Sequence, residues 1–196
     1  MGQMLLFVPK YDIIISNTIA LSMDSFCKIC YFTEKKAEEN MEKHYDLAVI
    51  GGGFSGCAAA LAAARGGAKV LLVERINALG GAPCTMAVNP FMRNATTLPG
   101  TNERKQLSQG IFAEIYDALK AEGATRDNIF NPEYLKIILN RKMKEAGVDL
   151  LFNSLFVSAK REGDRVVSVT VANKSGLTEL EADFFVDATG DADVAY

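Results

Sequence analysis

The chain has 196 residues, 49% of them hydrophobic and 23% charged, a composition that calls for one sizeable packed core and excludes disorder. A formal net charge of −3 gives no electrostatic case for nucleic acid or for an anionic membrane surface. Four cysteines do not make a secreted disulfide scaffold, and no apolar run comes near the ~18 residues that span a bilayer, so a reducing, cytoplasmic setting is expected.

Residues 1–40 hold short apolar bursts broken by Pro9, Asp12, Ser16 and Asn17, with neither a helical nor a strand period. The expected division is an N-terminal extension over 1–40, outside the fold, and a nucleotide-binding domain over 41–196, with Met41 as the natural start. Cys27 and Cys30 form a Cys-x-x-Cys pair in the extension. One pair cannot complete a tetrahedral zinc site, so two incidental thiols are expected and no metal site. His44, the only histidine, stands just before the first strand and is expected to be solvated rather than catalytic.

Tyr45 to Ile50 reads as a short buried strand, mostly apolar and β-favouring. Gly51, Gly53 and Gly56 then spell Gly-x-Gly-x-x-Gly, and Phe54 to Arg65 is rich in helix formers. Gly51 allows the tight turn out of the strand, Gly53 lets backbone approach a diphosphate, and Gly56 lets helix pack closely on strand. The helix N-terminus supplies free N–H groups and a positive dipole end to the same anion. The alanines of "CAAALAAA" keep that helix thin where it meets the sheet, and Cys57 among them reads as a small packing residue. Gly66 or Gly67 is suited to a left-handed cap. "VLLVE" is the next parallel strand, and its acid, Glu74, stands roughly 20 residues after the first glycine, where a ribose hydroxyl pair is held in dinucleotide folds.

"ERINALGGAPCTMAVNPF" does not continue as a third strand of a simple nicotinamide-binding fold. In "KQLSQGIFAEIYDALKAEGAT" Ile111, Ile115 and Leu119 fall on one face of an amphipathic helix. Asn131 caps a further helix with Pro132 at its first position, and "VDLLF" follows as a buried strand. The period then switches to two: "LFVSAK", "RVVSVTVAN" and "LTELEADF" are strands of an antiparallel meander, joined at "REGD" and "NKSG". Val167, Val169 and Val171 alternate with Ser168, Thr170 and Ala172, as in a half-exposed sheet. "FFVDATGDADVAY" is a last apolar strand leading into Gly190 and Asp191.

These pieces together resemble the front part of an FAD-dependent oxidoreductase of the glutathione-reductase-like, two-dinucleotide-fold class. More narrowly they are similar to flavoproteins related to the flavin subunit of heterodisulfide reductase. The elements that carry the likeness are "AVIGGGFSGCAAALAAARGGAKVLLVER", "LGG" with "VNPF", "GVDLLF" and "DATGDADVA", spread over residues 45–195. The resemblance implies an α/β fold: a Rossmann-like FAD/NAD(P)-binding domain with a parallel sheet, helices on both faces and an antiparallel β-meander crossover. It implies FAD as cofactor, with Gly51, Gly53, Ser55 and Gly56 at its diphosphate, Glu74 at the adenosine ribose and Arg75 beside the adenine end. Gly80 and Gly81 would line the flavin-side loop, Phe156 would meet the adenine through its backbone, and Gly190 and Asp191 would close over the cofactor. Cys84 stands where the family usually has threonine, which leaves that hydrogen bond in question.

Proteins of this class continue beyond the "ATGD" strand, so the domain is expected to be incomplete at its C-terminus, with residues 184–186 lacking neighbours and leaving apolar surface exposed. No catalytic residue is assigned. The implied partners are a small-molecule substrate or electron-transfer partner, with an iron–sulfur protein or cluster outside this chain also admitted, and neither nucleic acid nor membrane. Two other readings stay open: an NAD(P)-dependent dehydrogenase domain, disfavoured by the "LGG" loop and the meander, and a non-catalytic nucleotide-binding fragment.

Overall fold

A computed structural model describes residues 44–196. The expected extension and its Cys27–Cys30 pair lie outside the described residues.

Strand β1 (Tyr45–Ile50) is paired in parallel on both sides, with β2 (Val70–Val73) through Leu47↔Val70 and Ile50↔Val73, and with the end of β10 (Gly176–Asp187) through Leu47↔Phe184 and Ile50↔Asp187. Strand β7 (Asp149–Leu151) extends this parallel sheet beyond β2. Apolar residues on both faces suit strands buried on both sides, and Ala48, Val49, Leu71 and Leu72 are all enclosed. Helix α1 (Phe54–Arg65) crosses from β1 to β2 and buries Gly56, Cys57, Ala60 and Leu61. Its end takes the left-handed conformation at Gly67 (φ +92°), whereas Gly66 stays right-handed (φ −77°).

Helices α3 (Ile111–Ala121) and α4 (Pro132–Ala146) complete the layer over β1 and β2, after a short turn of helix, α2 (Ala82–Thr85). Ile115 and Leu119 of α3 are buried as the spacing required, while Ile111 is only half-buried at the rim. Asn131 accepts the Glu133 N–H at 2.9 Å, a cap worth about 1 kcal/mol, and Gly147 (φ +74°) ends α4 in the left-handed conformation. Leu61, Leu72, Leu119, Leu135 and Leu139 meet in the core between helices and sheet. Each such leucine contributes about 1.5–3 kcal/mol by burial, so Leu139→Ala should cost about 2–5 kcal/mol. The mixed α/β class with a mainly parallel sheet agrees with the sequence reading, and α1, α3 and α4 share one packed cluster against β1 and β2.

The meander is β8 (Leu155–Glu162), β9 (Arg165–Asn173) and β10. Two strands expected separately, "LTELEADF" and "FFVD", are one continuous β10. Its first half pairs antiparallel with β9 as far as Glu181, and its second half pairs parallel with β1 from Ala182 onward. No turn residue interrupts 177–187, so the strand passes straight from one neighbour to the other. Past Glu181 the edge of β10 away from β1 has no ladder partner among the described residues, and Phe184 is 71% exposed. Two small hairpins were not legible from the periodicity: β3 (Ala95–Thr97) with β4 (Arg104–Gln106), and β5 (Thr125–Arg126) with β6 (Ile129–Phe130). Strands of two or three residues carry no period to detect.

Candidate functional site

The three motif glycines do different work. Gly51 has φ +108°, and a Cβ there would collide with the carbonyl of Ala188, the first residue past β10. A Cβ on Gly56 would run into the carbonyl of Gly51. Both glycines are therefore demanded by the protein's own packing. Gly53 is not. Its backbone (φ −67°, ψ −177°) is open to any residue, and a Cβ would meet nothing within 4 Å. Among the described glycines only Gly53 combines an ordinary conformation with empty space. It also caps α1, whose first turn has no side-chain cap and no acidic residue, so its N–H groups are left for another acceptor. Ser55 is exposed in that turn.

Glu74, the acid after β2, is buried and only 7% exposed. Its Oε2 accepts the Gly52 N–H at 2.6 Å and its Oε1 accepts the Ile76 N–H at 2.9 Å. The backbone is fastened as well, with Glu74 N–H donating to Leu151 O (2.9 Å) and Glu74 O accepting Ser154 N–H (3.0 Å). A carboxylate can be buried this way because both oxygens receive charge-assisted hydrogen bonds. Arg75, next in sequence, is exposed.

The Gly80–Gly81 turn lies against the glycine loop. Gly80 N–H donates to Gly52 O at 2.8 Å, and Gly53 and Gly80 form a parallel bridge. A Cβ on Gly81 would come within 3.0 Å of Gly53 Cα, and one on Gly80 would strike Cys84 Sγ. Cys84 donates to Pro132 O at 3.7 Å. Burial pushes its thiol up to about 11, with Lys136 opposing the shift and Glu133 adding to it. Cys57 donates to Gly52 O at 3.3 Å, and burial pushes it up to about 12 against a backbone hydrogen bond with Gly80. Neither thiol is ionised near neutral pH, so both serve as packing residues rather than nucleophiles.

On the other side of the loop stands Asp187, which the sequence reading passed over. Its Oδ1 accepts the Thr189 hydroxyl (2.7 Å) and N–H (3.1 Å), and its Oδ2 accepts Val194 N–H (2.9 Å) and Ala195 N–H (3.0 Å). Burial opposes ionisation, but these hydrogen bonds outweigh it and hold the carboxyl below the usual aspartate range. They fold residues 187–195 into a turn that begins with the Ala188 carbonyl beside Gly51 and carries Gly190 (φ +94°) and Asp191, both exposed. The Asp-x-Thr spacing was the available signal, since such a pair closes a local turn. Gly52 was missed because the motif leaves its position unspecified.

The structure thus gathers Gly51, Gly53, Ser55, Gly56, Glu74, Gly80 and Gly81 at the carboxyl ends of β1 and β2, the usual ligand end of a parallel sheet. Gly190 and Asp191 arrive through β10. Phe156 is two residues beyond Ser154, half-buried on the edge strand β8. Phe91 docks the following segment on this end, with its ring 5.9 Å from Phe54 and stacked at 4.2 Å on Phe130. A hollow of about 270 Å³ lies elsewhere, on the meander, lined by His44, Lys160, Arg165, Glu179 and Asp183. Its walls include the exposed Arg165–Asp183 ion pair and no residue of the glycine loop.

Comparison with known proteins gives a family and a fold. Residues 46–196 match the family described as FAD dependent oxidoreductase. Glutathione reductase of Yarrowia lipolytica is 33% identical over 143 residues, covering 70% of this chain and 30% of that protein. Among solved structures, THI4 of Thermovibrio ammonificans is similar with a TM-score of 0.54 at 20% identity, over 92% of this chain and 69% of that one. A 3-ketosteroid-Δ4-(5α)-dehydrogenase of Rhodococcus jostii RHA1 is similar with a TM-score of 0.54 at 16% identity, over 76% of this chain and 46% of that one. At those identities the structural likeness concerns the fold.

Proposed function

Because the chain belongs to the FAD-dependent oxidoreductase family, with FAD as its cofactor, we propose that residues 44–196 bind the ADP half of FAD over the glycine loop and serve hydride or electron-pair transfer to a small-molecule substrate or an electron-transfer partner. Bound FAD supplies the redox chemistry; this chain's residues bind and orient it. The observation that carries the reading is the empty space over Gly53, a glycine that neither backbone conformation nor internal packing requires. A diphosphate approaching there meets the unpaired N–H groups of the first turn of α1, with Gly51 and Gly56 holding the loop and Ser55 at its rim.

Glu74 keeps lone pairs beyond those its two backbone N–H partners use, and these accept the ribose hydroxyls. Arg75 and the Phe156 backbone lie toward the adenine, Gly80 and Gly81 toward the flavin, and Gly190 and Asp191 close the site from β10. No catalytic residue is assigned. We place the protein in the cytoplasm, a reading supported by Cys57 and Cys84 remaining free thiols. No helix among the described residues is long and apolar enough to cross a membrane.

Calorimetry with ADP and with FAD tests the binding mode. The wild-type chain should bind both, and Gly53→Val should bind neither while its circular dichroism stays that of the parent. An unchanged ADP affinity in the variant would sink the diphosphate assignment.

A further inference from the structure

The Gly52 peptide is held from three sides. Its N–H donates to Glu74 Oε2 at 2.6 Å, and its carbonyl accepts Gly80 N–H at 2.8 Å and the Cys57 thiol at 3.3 Å. Gly52 itself is buried, and a Cβ on it would come within 2.9 Å of Glu74 Oε2 and 2.7 Å of Leu79 Cδ2. The next residue is Gly53, whose open side is the phosphate cradle. From this geometry we infer that Glu74 is a positioning residue for the diphosphate site: its carboxylate fixes the Gly52 peptide and so sets the backbone over which the diphosphate lies, beyond any contact with a ribose.

Two features support the assignment. Glu74 has both oxygens committed to backbone donors on opposite sides, the loop at Gly52 and its own strand exit at Ile76, so it ties β1's exit loop to the end of β2. A ribose ligand alone needs neither bond. The contact is also charge-assisted and shielded from water, which makes it stronger than an exposed equivalent. In Glu74→Gln one of the two backbone N–H groups faces an amide NH₂ and loses its acceptor, while the side chain keeps its size.

The ligand arm of the test rests on the FAD reading; the spectroscopic arm does not. In the ¹⁵N-labelled full chain without ligand, the Gly52 amide proton should resonate far downfield and move upfield in Glu74→Gln. An unmoved resonance overturns the clamp whatever the chain binds. In calorimetry with ADP and with inorganic pyrophosphate, which has no ribose, the variant should lose affinity for both, on the order of tenfold for pyrophosphate and more for ADP, which also loses its ribose contact. Loss for ADP with pyrophosphate unchanged confines Glu74 to the ribose and overturns the inference. If the wild-type chain binds neither probe, the cofactor reading fails and the resonance still decides the clamp. If the variant does not fold, hydrogen exchange in the wild-type chain decides: a protected Gly52 amide supports the clamp, and one that exchanges as fast as exposed loop amides overturns it.

Discussion

Two regions of this molecule concentrate polar groups, and they handle them in opposite ways. At the carboxyl ends of β1, β2 and β10 two carboxylates accept backbone N–H groups: Glu74 ties the glycine loop to the end of β2, and Asp187 folds the turn that lies beside that loop. On the meander polar side chains pair with one another in solvent: His44 with Asp183 at 3.3 Å and Arg165 with Asp183 at 3.6 Å, all about half exposed or more. The meander hollow is lined by exposed side chains, whereas the strand ends carry the proposed cofactor site. Side chains in water hold each other weakly and share their geometry with many rotamers. Carboxylates bonded to fixed backbone donors hold the main chain itself, which is what an anion site made of N–H groups requires.

Substitutions can break this contrast at decreasing cost. Gly53→Val should have the largest effect, abolishing ADP and FAD binding with little change in melting temperature. Gly56→Val should do the reverse in its first effect, because the new side chain meets the Gly51 carbonyl inside the fold. Overpacking and backbone displacement there should cost about 1–3 kcal/mol or more, measured by denaturant unfolding, and binding should fall as a consequence. If both variants lose stability equally, Gly53 is a packing glycine like its neighbours and the site reading loses its main support.

Asp187→Asn comes next. It keeps shape but weakens the hydrogen bonds that shape the turn after β10, for an expected loss of about 1–3 kcal/mol near neutral pH. The pH dependence has a definite sign. The folded carboxyl titrates below its ordinary value, so its contribution is fully present above the unfolded aspartate pKa and is lost as pH falls through the lower folded one. The wild-type chain should therefore lose stability across that acid window more steeply than Asp187→Asn, as melting curves at stepped pH would read. Parallel acid limbs would remove Asp187 from the bracing role.

His44→Ala and Arg165→Ala should have the smallest effects, each under about 1 kcal/mol, with ADP affinity unchanged. A marked loss of binding in either would make the meander hollow part of the site and erase the contrast. The expectation that His44 is solvated agrees with its half-exposed side chain.

The sequence by itself determined the elements whose cause is local. Apolar β-favouring residues from Tyr45 to Ile50, alanines through α1, Asn131 with Pro132 before α4 and Gly147 after it fix strand, helix, cap and stop within a few residues of one another. The glycine spacing and the acid after β2 likewise marked the candidate site, since a dinucleotide fold needs them close along the chain. What the sequence did not show depends on partners far apart in it. Glu74 looks like an exposed strand-end acid until Gly52, 22 positions away, is seen donating to it. "LTELEADF" and "FFVD" look like two strands because the change of neighbour, from β9 to β1, leaves no mark on the residues that undergo it. Gly51, Gly53 and Gly56 are the same letter, and only the packing of Ala188 beside Gly51, and of nothing beside Gly53, separates the glycines that hold the fold from the one that leaves room for a ligand. Periodicity and caps act over a turn or two of chain, whereas burial and open space are properties of whatever the rest of the molecule brings alongside.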